Sequence, residues 1–301
     1  MADNLTHIVE SYEAERLATG FRFTEGPLWH PDGYLLFVDL PANQILRLIP
    51  GGEPEVVREN SGASNGLTLD LQGRLIICEG GNRRVTRMEA DGTYTPIAER
   101  WEDRRLNRPN DVVGRSDGSI YFTDPARGLE PSEKELDFTG VHRIAPDGTV
   151  TPVARDFENP NGLAFSPDES VLYVNNTRRE MYIKAFDVQP DGSLANGRVF
   201  ADMGVDVPEK PGDRPRGAIG SLNGVPDGMK VDVEGNVYCT GPGGHWVFDR
   251  SGNHLGVINL PELPANCAWG GPENRTMFFT SRTSVYAIRM KTSGTSVPRA
   301  G

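Results

Sequence analysis

Six times along the chain, a short apolar strand, a polar turn and a second apolar strand recur in one register. "EGPLWHPDGYLLFVD" begins at Glu25, "NGLTLDLQGRLIICE" at Asn65 and "NDVVGRSDGSIYFTD" at Asn110. "NGLAFSPDESVLYVNN" begins at Asn161, "DGMKVDVEGNVYCTG" at Asp227 and "NCAWGGPENRTMFFTS" at Asn266. Successive starts lie 40, 45, 51, 66 and 39 residues apart. A strand-built repeat of that period is a propeller blade, since one such sheet cannot bury both faces alone and must stack on copies of itself.

A third strand follows each hairpin, at 43–48, 83–88, 140–145, 180–188, 245–249 and 284–289. A fourth follows a Gly turn in five of the six cases, and after the sixth third-strand the chain ends in "MKTSGTSVPRAG". The missing outer strand is expected from "AERLATG" at 14–20, which closes the ring and removes an open sheet edge. The expected architecture is an all-β, six-bladed β-propeller in one domain over residues 1–301, its last blade completed by the N-terminal strand. Two β-sandwiches would not put six hairpins in one register. A parallel α/β fold would need amphipathic helices between strands, and only the first dozen residues and 131–137 offer even weak helical candidates.

In this register Glu25, Asn65, Asn110, Asn161, Asp227 and Asn266 share a column, and every one carries a side-chain oxygen. The first strand of each blade lines the channel of a propeller, so the column becomes a ring around the axis. The next column holds Gly26, Gly66, Asp111, Gly162, Gly228 and Cys267, mostly minimal side chains where strands crowd together. Asn-Gly and Asp-Gly alone would be turn chemistry. Six in register, with Glu at one place and Asp at another, instead make a hard-oxygen cation site. Two carboxylates balance a divalent charge and the amides add coordination without charge. Ca²⁺ is favoured, because no His or Cys cluster offers softer ligands; Mg²⁺, Mn²⁺ and Zn²⁺ stay open.

Other motifs do not hold up. "GASNG" at 62–66 matches a nucleophile elbow with Ser64 as nucleophile, but an alternating strand follows where the elbow needs a helix. His30 and His245 have no ligand spacing and read as structural or solvated. Cys78, Cys239 and Cys267 each lie in or beside an apolar run and are expected to be buried free thiols of a reducing cytoplasm. No basic, apolar leader opens the chain and no window is long enough for a membrane-spanning helix, so a cytoplasmic protein is expected. The formal net charge of −11 argues against nucleic acid and anionic membranes as partners, and the oligomeric state stays open.

"TEGPLWHPDG", "NRPNDVV", "NPNGLAFSPD" and "PDGMKVD" together resemble the senescence marker protein/gluconolactonase/luciferin-regenerating family, also called regucalcin-like. The resemblance covers about residues 16–290, and in look the chain is most similar to bacterial gluconolactonases. It implies a six-bladed propeller with one divalent ion at the channel mouth and, in many members, hydrolysis of sugar lactones. The implied ligands are Glu25, Asn161 and Asp227. Asn110 is implied as a further ligand or as a holder of substrate or water, and Arg108 as a substrate contact.

Such a site would polarise a carbonyl and activate water, with Asp227 also able to accept a proton. The expected function is therefore a metal-dependent lactonase acting on a small sugar lactone. Alternatives are a phosphotriesterase or arylesterase on the same calcium site, and a calcium-binding propeller without catalysis. The long connections 125–140 and 204–225 are expected to carry specificity.

Overall fold

The structure, a computed structural model, describes residues 5–204 and 224–297. Six four-stranded antiparallel sheets stand around a common axis. Their innermost strands are Thr24–His30, Ser64–Leu69, Val112–Gly114, Pro160–Phe165, Met229–Val231 and Asn266–Gly270, each beside the next and the last beside the first. The six-bladed propeller expected from the repeat is the observed fold. Its last sheet is completed by Glu15–Thr19, which pairs antiparallel with Ser284–Arg289, so the ring closes through the N-terminal strand as the missing fourth strand required.

The strands are apolar on both faces because each blade packs against two neighbours. Along Tyr34–Asp39, Leu35 and Phe37 join Phe278 and Val285 of the sixth blade, while Leu36 and Val38 join Leu67 and Ile77 of the second. This period of two repeats around the ring, so the core is a set of inter-blade wedges rather than one central mass. A fully buried side chain such as Phe37 contributes roughly 1.5–3 kcal/mol. The three cysteines are buried and free, as expected.

The ends of the chain do more than the sequence suggested. Leu5, Ile8 and Val9 are buried against the fifth and sixth blades, and they arrive there through a turn and a bridge to Met290 rather than a helix. After the sixth blade the chain does not simply end. Gly294 bridges to Asp232 and the Thr295 amide donates to the Val231 carbonyl, which lays Thr295–Val297 across the base of the channel. The channel space there has a volume of about 170 Å³. A short hairpin of Arg100–Trp101 and Arg104–Arg105 precedes the third blade and was not anticipated. Of the 131–137 candidate only a 3₁₀ turn forms, Pro131–Glu133. No helix among the described residues is long and apolar enough to cross a membrane.

Candidate functional site

The shared column sits where the innermost strands begin, and the backbone there is irregular in a repeated way. Strand register slips by one residue between Glu25 and Leu28, between Ser64 and Leu67, and between Pro160 and Leu163. A β-bulge at one place in three blades re-aims Glu25, Asn65 and Asn161. The fourth-blade strand therefore begins at Pro160, earlier than its apolar run, and contains Asn161.

Neighbouring blades touch at the next column. The amide of Gly66 donates to the Asn110 carbonyl at 2.7 Å, that of Gly162 to the Asp227 carbonyl at 2.9 Å, and that of Gly228 to the Ala265 carbonyl at 2.8 Å. A Cβ on Gly162 would come within 2.2 Å of the Asp227 carbonyl oxygen, and one on Gly228 within 1.9 Å of the Asn266 side-chain oxygen. Real Cβ atoms do not approach so closely, so crowding at the axis is what demands glycine.

Side chains of the column then meet. The Asn266 amide donates to Glu25 Oε2 at 3.0 Å, and the Gly26 amide donates to the same oxygen at 2.8 Å. The Asp227 carboxyl lies close enough to Glu25 for each to bear on the other's ionisation, and Asn161 favours its ionised form. Asn65 Nδ2 donates to Asn110 Oδ1 at 3.2 Å, while its own Oδ1 is buried without a partner. Glu25 and Asn161 are buried; Asp227, Asn65 and Asn110 keep partial exposure at the channel mouth.

Two carboxyl groups brought this close in low dielectric resist ionisation. Burial, and next the charge of Asp227, push the Glu25 carboxyl well above its ordinary range. Burial pushes Asp227 up to about 7, with Arg127 opposing and Asp111 adding to the rise. Asp111, one residue beyond Asn110, is a buried carboxylate raised by desolvation and opposed by the Lys230 charge; its Oδ2 has no partner. Its negative charge bears on both Glu25 and Asp227, a role its column of glycines concealed.

Arg108 is anchored beside the site, its Nε donating to the Gly80 carbonyl and its Nη1 to the Arg127 carbonyl, each at 3.2 Å. Ser64 lies buried in a strand with its hydroxyl donating to Ser61 Oγ at 2.8 Å, so no nucleophile elbow forms. His245 is buried and desolvation pushes it down to about 3, a neutral core residue.

The structure thus brings Glu25, Asn161 and Asp227 together and ties Asn266 to Glu25, while Asn65 and Asn110 pair with each other. Among the described residues no group of three or more His, Cys, Asp and Glu side chains is placed to hold a metal. A cation here needs the amides, and the donors fit one. Two carboxyl groups turned on each other leave oxygens for which a divalent ion is the natural counter-charge, and the Asn65 oxygen is buried with nothing to accept.

A family model described as "SMP-30/Gluconolactonase/LRE-like region" matches residues 23–283. The chain is 30% identical over 302 residues to a gluconolactonase of Zymomonas mobilis, covering 93% of this chain and 82% of that one. It is 30% identical over 274 residues to the pentonolactonase XacC of Haloferax volcanii, covering 87% and 82%. A solved gluconolactonase structure from Xanthomonas campestris superposes with a TM-score of 0.83 at 33% identity, over 96% of this chain and 93% of that one.

Proposed function

Because the chain belongs to the SMP-30/gluconolactonase/LRE-like family, we propose that it is a hydrolase of sugar lactones that works with one divalent cation. The observation that carries this is the meeting of the Glu25 and Asp227 carboxyl groups with Asn161 at the channel mouth, in a chain similar over most of its length to lactonases. Glu25, Asp227 and the amide oxygens of Asn161 and Asn110 would hold the ion, with Ca²⁺ the best match to an all-oxygen donor set. When bound, the ion supplies Lewis-acid polarisation of the lactone carbonyl and eases loss of a proton from water.

The chain's own residues do the rest. Asp227, the partly accessible carboxylate, takes the proton from the attacking water. Arg108, with Nε and Nη1 already fixed on carbonyls, presents Nη2 to the substrate oxygens and steadies the charge that builds on them. Asn266 and the Gly26 amide hold Glu25 in place.

The test is hydrolysis of gluconolactone with and without a chelator, with spontaneous opening subtracted. Enzymatic opening abolished by chelation and restored by Ca²⁺ is expected. Hydrolysis that chelation leaves untouched removes the cation from the reading, and no hydrolysis of any sugar lactone removes the activity.

A further inference from the structure

Beside the channel mouth lies a second cavity of about 530 Å³, within the range of small-molecule sites, walled largely by the 125–140 connection. It adjoins the site at two points. Gly128 packs under the Arg108 guanidinium, where a Cβ would come within 2.6 Å of Nη1, and Arg127 bears on the Asp227 carboxyl.

The cavity is rich in cations. Arg127, Lys134, Arg155 and Arg178 line it, against the carboxylates of Asp137 and Glu158. Both carboxylates have partners outside the cavity lining, Asp137 with Arg104 at 3.3 Å and Glu158 with Arg179 at 4.0 Å. Among the described residues Arg127, Lys134 and Arg178 form no ion pair. Arg155 is held over the rings of Trp101 and Phe138 and forms no ion pair among the described residues.

Arg178 is the most telling. Its Nε is buried without a hydrogen-bond partner, and its backbone sits at φ 87, a left-handed conformation that a non-glycine residue adopts only at a cost. Burial, and then the Arg127 charge, disfavour its cation. The residue is half-buried, and a buried guanidinium N–H without an acceptor is costly unless something brought in from outside accepts its hydrogen bond. A neutral polyol supplies hydroxyls but no counter-charge.

We propose that this cavity holds an anionic group on the part of the substrate remote from the lactone carbonyl, so that the preferred substrate is an anionic sugar lactone bearing a carboxylate or a phosphate. The inference rests on the lactonase reading above. Arg178 and Lys134 are the specificity-determining residues, with Arg127 between them and the reacting centre.

The test compares kcat/KM for three lactones of one ring: the neutral aldonolactone, the lactone of the corresponding sugar diacid, and the lactone carrying a terminal phosphate. At least one anionic lactone should exceed the neutral one by about tenfold or more, and which one identifies the group. The advantage should shrink with added salt. Arg178→Gln should lower the rate on that lactone about tenfold more than on the neutral one. Exposed Lys134→Gln repeats the comparison should Arg178→Gln not fold.

Equal or better turnover of the neutral lactone, with both variants losing all substrates alike, overturns the proposal and leaves the lactonase reading standing. If no lactone is opened, calorimetric binding of the open-chain sugar diacid separates the two ideas. Binding that weakens about tenfold in Arg178→Gln supports the anion site on its own, and absence of binding overturns it.

Discussion

The side-chain amide of Asn266 donates to Glu25 Oε2 across 241 positions of sequence, at 3.0 Å. It joins the first residue of the last blade's innermost strand to the column residue of the first blade, so the site is assembled only when the ring closes. The side-chain oxygen of Asn266 accepts from the Cys267 amide at 2.8 Å, which sets the side chain's orientation. Asn266→Ala leaves Glu25 with one donor fewer in a buried setting, a loss of about 1–3 kcal/mol. Tm should fall and Ca²⁺ affinity should fall with it; an unchanged affinity would separate Asn266 from the site.

Asp227 is assigned two tasks, holding the cation and accepting the proton. Asp227→Asn keeps an oxygen at the same reach and removes the basic charge. Assayed across a Ca²⁺ titration, the variant should stay about 10²–10⁴-fold below the parent even at saturation. Recovery at high Ca²⁺ would leave Asp227 a ligand alone, with Glu25 next in line as base.

Cation uptake should release protons. Burial pushes the Asp227 carboxyl up to about 7 and Glu25 well above its ordinary range, so below pH 7 an incoming ion should displace protons that the folded site holds. Ca²⁺ affinity should therefore rise as pH climbs towards 7. Calorimetry at pH 6 in buffers of different ionisation heat should show net proton release, reduced in Glu25→Gln. No buffer dependence in the parent would contradict the assignment.

Removing residues 1–20 takes away the outer strand Glu15–Thr19 together with buried Leu5, Ile8 and Val9. An exposed sheet edge and three lost core side chains should lower Tm sharply and promote aggregation. A truncated chain that melts like the parent would refute ring closure as a source of stability.

Glu79 offers a pH test away from the site. Burial alone would raise its carboxyl, but hydrogen bonds from Asn82, Arg58, Arg84 and Thr86 outweigh it and hold the group below its ordinary range. A depressed carboxylate stabilises the fold above its unfolded value of about 4.3, and that stabilisation is lost as pH falls through the lower folded value. Glu79→Gln should cost about 1.5–3 kcal/mol at neutral pH and flatten the acid limb of Tm against pH. An acid limb as steep as the parent's would show that Glu79 contributes nothing to it.

How much of this was legible beforehand depended on whether a feature repeats. Six hairpins in register declared the blade, because alternation along strands such as Tyr34–Asp39 is local and each copy restates it. The unpaired sixth blade pointed to Glu15–Thr19 for the same reason, since an absent strand in a regular series is itself a signal. The oxygen column was visible too, because every member lies at or just before the start of its blade's innermost strand.

What stayed hidden has no repeat. Asp111 stands among glycines, and only packing shows that its charge reaches Glu25 and Asp227. Thr295–Val297 look like a loose tail until the backbone bonds to Val231 place them across the channel. Arg127, Lys134, Arg155 and Arg178 lie on three separate stretches of chain, and nothing in their spacing says that they share a cavity. Of the two connections expected to carry specificity, 125–140 lines that cavity, while residues 205–223 of the other lie outside the described residues. The order of residues alone determined the blade and its number, because both follow from periodic burial along the strand. Which side chains meet, and whether their charges are balanced, was decided by the tertiary structure, because hydrogen bonding and desolvation act across space between residues that sequence holds apart.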